Sequence, residues 1–380
     1  MVRSRMLMMI VVGSVVLLSG FSLASSTLAA LPAGELSLNL DGAAVEIHAD
    51  AGGNLWVSDW LAGEVWQVNS AGDGYTVYAT GAGSTDARPD NQGGVWWVNE
   101  TRLTRLNTTD IITQTWDITG SIYLVGLGFD SRGLVWMTDG GVSNVYSFDP
   151  STRDLCTYPL PASAEVDYPE VSGTQLWLGD TFNGRLLRLD FSVPASPQWS
   201  WWQLPAGSYP YDVTLDASGN PWYTDSGLGQ LGYLAPGSDE LTVYPLPRGA
   251  SPRMLAASGG KVWYTEQSLA SLGVLDPAQA SATPQAATTG SSSATYTCSK
   301  LQLPVNGSTT TRSGVPSWAD VSYQELYRAD GWVIYQLPVN SQPTGIALTG
   351  SGYMVDSLRQ VLAKFSLNTD IQVFLPLVLK

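Results

Sequence analysis

The sequence has one histidine, two cysteines and only 18 basic residues in a chain of 380. One histidine leaves no His-rich metal site and removes most His-dependent catalytic triads. Two cysteines cannot build a four-cysteine zinc site or a disulfide framework. With 33 acidic residues the formal net charge is −15, so no basic face is available for nucleic acid or for an anionic lipid surface. Charged residues make up only 13%, too few for long amphipathic helices. What the chain has instead is 39 glycines, 22 prolines and 15 tryptophans, the composition of an acidic, turn-rich, all-β protein.

Long hydrophobic runs are scarce too. The one near the N-terminus, Met6 to Leu18, follows Arg3 and Arg5 and precedes small residues around Ala24, Ala29 and Ala30. That pattern predicts a secretory leader over residues 1–30 rather than a membrane anchor, because the run is short for a span. Residues 31–380 are then expected to form one exported domain, secreted or attached to the cell envelope, with no later transmembrane segment.

Inside that domain a short pattern recurs: glycine, two residues, an aromatic, two residues, then Asp or Glu. It places aromatics at Trp56, Trp97, Trp136, Trp177, Trp222, Trp263 and Tyr353, mostly about 41 residues apart, with a gap of 90 before the last. About ten residues beyond each acidic residue a second short strand ends in Asp or Asn. A third then closes on a common ending, as in Thr157-Tyr-Pro-Leu-Pro161 and Val243-Tyr-Pro-Leu-Pro247. Four short strands per unit with Gly-rich turns is the spacing of a β-propeller blade. Blades stacked round an axis cover each other's faces, and aromatic side chains fill the gaps between twisted sheets. The 90-residue gap holds a worn copy, Trp318-Ala-Asp320 to Leu337-Pro338, after an Ala/Ser/Thr-rich insert at about 277–297. The count is therefore eight units with the seventh degenerate, and seven blades with a long insertion is the competing count. Leu36–Leu40 and Val373–Pro376 both look like outer strands that close the ring, and either one suits.

Repeats of the form G-x-x-W-[FY]-T-[DE] followed by Y-P-L-P resemble the streptogramin lyase (virginiamycin B lyase) family. Trp263-Tyr-Thr-Glu266 and the Val243–Pro247 ending carry the likeness most closely, and it extends from about residue 36 to 376. The resemblance implies a propeller, seven-bladed in known members, that opens a cyclic depsipeptide at its ester by Mg2+-assisted elimination. It also implies a metal-binding glutamate and a catalytic histidine beside the W-F-T-E segments of the later blades. Glu266 matches that glutamate, but Gln267 and Ser268 follow it and no histidine does. His48 lies in the first inner-strand region and reads as structural.

If the repeats are blades, Asp59, Glu100, Asp139, Asp180, Asp225, Glu266, Asp320 and Asp356 occupy equivalent positions beside the channel mouth. Carboxylates so placed can ligate Mg2+ or Ca2+, with Glu266 as the metal candidate, or can accept backbone N–H bonds within their own turns. Their presence in every unit favours the second role. Residues that break the repeat are better ligand candidates: Trp60, Arg102, Phe182 and Arg359 in the turns, and Arg88, Glu170, Tyr211, Asp212 and Arg253 on inner strands. Arg88 and Arg253 suit a carboxylate or a sulfate, or else salt bridges to the acidic ring. Cys156 and Cys298 fall on the outer edges of different units, so both are expected as free thiols. The sequence thus predicts a monomeric, exported propeller that binds an extracellular small molecule or protein, with no catalytic residue assigned. A divalent-cation-dependent C–O lyase or lactonase is the alternative, and an envelope structural part is a third reading.

Overall fold

The computed structural model describes residues 30–37, 44–81, 83–90, 92–235, 239–247, 250–266 and 268–368. The expected leader and the expected closing strand at 373–376 fall outside them. The described residues contain no α-helix and form seven β-blades around a central channel. No helix among them is long and apolar enough to cross a membrane.

The first blade runs from the inner strand Ala44–Ala49 through Leu55–Asp59 and Glu64–Val68 to Tyr75–Ala79. Later blades repeat this antiparallel order, with inner strands Ser84–Pro89, Leu124–Phe129, Glu170–Ser172, Pro210–Leu215, Pro252–Ser258 and Pro343–Leu348. The repeat motif has a local cause. Asp50 accepts the N–H groups of Gly52 and Asn54, Gly53 turns the chain at φ 80°, and the Trp56 indole N–H reaches back to Asp50 at 3.2 Å. Asp130 and Trp136 repeat the arrangement. In blade two the same contacts link Asp90, Gly93 and Trp96, so Trp96 rather than Trp97 is the repeat position. The repeat tryptophans meet an aromatic of their own blade's fourth strand: Trp56 stacks on Tyr78, Trp96 on Trp116, Trp177 on Trp202 and Trp222 on Tyr244, and Trp136 packs tilted against Tyr158. The tyrosine of Y-P-L-P is that partner, and such a stack contributes about 0.5–1.5 kcal/mol beyond its area burial. The leucine of the motif is buried and its N–H closes the preceding turn, as Leu160 to Ser143 and Leu246 to Gly229.

Eight units is corrected to seven blades, because the worn seventh copy forms no blade of its own. After blade six has laid down Ser271–Leu275, the chain circles the outside of the ring against the blade order. It adds a fifth strand to blade five (Thr283–Ala286), four (Thr288–Ser293), three (Thr297–Lys300), two (Val305–Ser308) and one (Thr311–Gly314). The strand Trp318–Ala329 then pairs with the N-terminal strand Ala30–Ser37 and with Trp332–Gln336, the fourth strand of blade six. Ala30–Ser37 is also the fourth strand of blade seven, alongside Val361–Phe365, so the N-terminus closes the ring and blades six and seven merge into one nine-stranded sheet.

This belt overturns the expectation of free thiols. It brings Cys298 directly opposite Cys156 on blade three, and the two form a disulfide with Cα atoms 4.0 Å apart. Outer edges of separate blades are indeed far apart, but Cys298 belongs to the belt and travels to blade three with it. Asp320 likewise lies in the strand Trp318–Ala329, opposite Gly34, and not at the channel mouth.

Candidate functional site

The acidic turns mark one face of the ring. In five blades the inner strand starts opposite the acidic residue of its blade, as Leu124 opposite Asp139, Pro252 opposite Glu266 and Pro343 opposite Asp356. The carboxylates are buried and taken up by their own turns. Asp139 accepts the N–H groups of Ile122, Tyr123, Gly141 and Val142. Asp225 accepts from Tyr209, Leu228 and the Gln230 amide. Asp180 is gripped by Arg185 and by Asn183. In blade two the place is held by Asn99, opposite Ser84, and Glu100 is the exposed residue after it, at φ 51°.

Glu266, the metal candidate, accepts from the Ser251 N–H and from the N–H and hydroxyl of Ser268 on one oxygen, and from the Leu269 N–H on the other. Four donors leave this carboxylate little capacity for a cation. Among the described residues no three His, Cys, Asp or Glu side chains are grouped as a metal site. The residues present therefore do not fit the Mg2+ that the resemblance implied at Glu266.

The inner strands organise the channel into three levels, because a bulge shifts the register near the start of most of them. The outermost level, on the acidic-turn face, holds Thr85, Val125, Asp167, Tyr211, Arg253 and Thr344. Here Arg253 donates from Nη2 to the Tyr211 hydroxyl at 2.6 Å, and its guanidinium lies 4.4 Å from the centre of the Tyr211 ring. The Arg253 Nε is buried without a hydrogen-bond partner, and no carboxylate forms an ion pair with Arg253 among the described residues. Burial pushes Asp167 nearby up to about 6, with Arg253 acting against the rise.

The second level is buried and divides the channel: Glu46, Asp86, Gly126, Tyr168, Asp212 and Met254. Asp86 accepts from His48 Nε2 at 2.7 Å, from Arg88 Nε at 3.3 Å and from the Leu127 N–H at 2.9 Å. Burial alone raises Asp86, but the neighbouring His48 and Arg88 and these hydrogen bonds outweigh it and hold the carboxyl below its usual range. Asp212, equivalent to Asp86 in blade five, accepts the N–H groups of Val213 and Leu255. Burial pushes it up to about 7, helped by the charge of Glu170. Glu46 is raised well above the ordinary value by burial and by Asp86 and Asp212.

The third level, past the septum, is His48, Arg88, Gly128, Glu170, Thr214, Ala256 and Ala347. Burial and the Arg88 charge hold His48 below its ordinary value, against the opposing pull of Asp86. A cavity of about 230 Å³ begins at Glu46, Tyr168 and Asp212 and runs past this level to Ala49 and Leu348, towards the face opposite the acidic turns.

Of the ligand candidates, Arg88, Tyr211, Asp212 and Arg253 line the channel. Trp60 stands on the rim, in the turn after Asp59. Arg102 starts the third strand of blade two, away from the inner strands, and forms an exposed pair with Asp117 at 3.2 Å. Arg359 pairs with Asp356 in its own turn, at 3.7 Å between the charged groups. Glu46, Asp86, Asp167 and Tyr168 escape the sequence reading. For two of them a signal was present: Glu46, Asp86 and Asp212 each stand ten residues before the motif tryptophans Trp56, Trp96 and Trp222.

Solved structures with this fold include streptogramin B lyases. A catalytically inactive histidine-to-alanine virginiamycin B lyase from Staphylococcus aureus, solved with quinupristin, superposes with a TM-score of 0.67 at 16% identity, over 88% of this chain and 99% of the lyase. A second streptogramin B lyase gives 0.67 at 15%, over 90% and 100%. The chain has the fold of these lyases. A similar ring, YCF48 bound to a D1 peptide, gives 0.58 at 11%, over 90% and 97%, so the fold alone does not choose an activity. No protein-family model matches the sequence, and no curated protein matches it by sequence.

Proposed function

We propose that this chain is a binding propeller that takes an apolar peptide-like ligand with a free carboxylate on its acidic-turn face, and that it performs no lyase chemistry there. The observation that carries the reading is Arg253. A guanidinium held on Tyr211, with a buried N–H unmet and no carboxylate paired to it, is a prepared anion partner. Around it the turns of this face expose large apolar side chains: Trp60, Leu61, Ile122, Phe182, Leu228 and Leu358. Exposed apolar residues concentrated around one mouth are a recognised mark of an interaction surface. The lyase alternative lacks support at its own residues, since Glu266 is saturated by its turn and Ser268 stands where a histidine is wanted. The expected leader would place the ligand outside the cytoplasm, in the medium or at the envelope.

The test is calorimetric titration of acetyl-Leu-Leu-Phe as the free acid and as its C-terminal amide. The free acid should bind at least tenfold more tightly, and Arg253→Gln should abolish the difference. Equal binding of acid and amide, or none of either, overturns the proposal. So does a mass change in a cyclic depsipeptide incubated with the protein and Mg2+, which would restore the lyase reading.

A further inference from the structure

The cavity beyond the septum is a second site, on the other side of the ring from the Arg253 mouth. Its walls are mixed. Ile47, Pro169, Leu255 and Ile346 are apolar, and Tyr168 adds an aromatic ring at the floor. The polar groups are unevenly satisfied. Asp86 is fully engaged by His48, Arg88 and the Leu127 N–H. Asp212 has one backbone N–H on each oxygen. The Glu46 N–H donates to the Ser58 hydroxyl, but the residue is only 4% exposed, its carboxyl makes no hydrogen bond among the described residues, and Oε1 is buried and unpartnered.

A buried carboxyl without a partner is costly in either protonation state, because the acid lacks an acceptor and the carboxylate lacks a donor. With Glu46, Glu170 and Asp212 against the single Arg88 guanidinium, already on Asp86, the cavity has an excess of acceptors. A metal ion does not answer it, because the carboxyls are not grouped as ligands among the described residues. An ammonium group does. It brings several donors on one atom, its charge offsets the carboxyl excess, and Tyr168 offers an aromatic face to the cation while the aliphatic walls take an alkyl chain.

We propose that this cavity binds a small aliphatic primary amine, its ammonium seated on Glu46 beside Asp212 and Tyr168 and its alkyl chain lying along Ile47 and Ile346, past Thr214, towards the opening at Ala49 and Leu348. The site is independent of the Arg253 face and stands whether or not that reading holds. The probe is n-butylammonium chloride, titrated into the whole oxidised protein by calorimetry or followed by saturation-transfer NMR, with 1-pentanol as the uncharged analogue of matched length. The amine should bind at least tenfold more tightly than the alcohol. Glu46→Gln should weaken the amine at least tenfold and leave the alcohol unchanged. Because a septum variant risks the fold, Thr214→Phe provides an independent check: it narrows the path to the opening, keeps every septum carboxyl, and should abolish binding of both probes. Failure of the amine to bind the wild-type protein at millimolar concentration, equal binding of amine and alcohol, or full binding by Thr214→Phe would each overturn the site.

Discussion

Replacing both Cys156 and Cys298 with serine tests whether the belt is held by the disulfide or by its strand pairing. The bond joins residues 142 apart in sequence, and closing a loop of that length restricts the unfolded chain by about 5 kcal/mol in the chain-entropy account. Against that, the belt segment it anchors pairs with blade three over only four positions, Thr297 to Lys300 against Asp154 to Thr157. The neighbouring segments are also short and almost wholly exposed, so they bury little to hold themselves in place. The double variant should therefore lose roughly 3–5 kcal/mol in equilibrium urea unfolding. Amides of the belt, residues 283–314, should exchange with solvent well before those of the inner strands. The result that refutes the reasoning is a loss under about 1 kcal/mol together with belt amides as protected as the inner strands. Pairing alone would then suffice to hold the belt.

Two further outcomes follow from the channel and from the blades. Asp212 titrates in the folded protein at about 7, above its unfolded range, so the folded state holds a proton that the unfolded state has already released. Stability should accordingly fall as pH rises from about 4 through 7, by a few kcal/mol on the order of 4 from this group alone, and Asp212→Asn should flatten the slope in melts recorded from pH 5 to 8. Gly232 lies directly across from Tyr223, and a Cβ added there falls inside the tyrosine ring; Gly232→Ala should lower urea stability by roughly 1–3 kcal/mol, whereas an unchanged midpoint would mean that the ring has room to move.

The blades are legible in the sequence because their chemistry is local. Asp130, Gly133 and Trp136 make one turn and one indole bond, and the reader needs only their spacing. Blade two shows the limit of this: consecutive tryptophans allow a slip of one, and only the Asp90 contact selects Trp96, which in turn moves the acidic position from Glu100 to Asn99. The belt is illegible for the opposite reason. Its strands are rich in Ser, Thr and Gly and show no hydrophobic alternation, since they lie on an outer edge and are almost wholly exposed. The ten-residue interval from Asp320 to Asp330 imitates a blade by coincidence of spacing. The free thiols were expected from a correct distance between blade edges applied to a cysteine that belongs to no blade. In the channel, Arg88, Tyr211 and Arg253 stand out as departures from the repeat, while Glu46 and Asp86 share with Asp212 one position at the bulge, a recurrence that shows only once Trp96 is fixed as the repeat tryptophan.

The belt also sets how far apart in sequence the contacts of the ring lie. It meets the blades in reverse, so each rung it adds spans more chain than the last: residue 240 to 286, then 198 to 293, 154 to 300, 112 to 308 and 75 to 314. After that circuit Trp332–Gln336 returns as the fourth strand of blade six, and the N-terminal strand is held between blade seven and the belt's last strand. Blade six is thus built from strands on both sides of the belt in sequence. A chain that must gather its longest contacts before closing folds slowly and exposes unpaired edges meanwhile. Once closed, the same topology leaves no end of the ring free to peel away by itself.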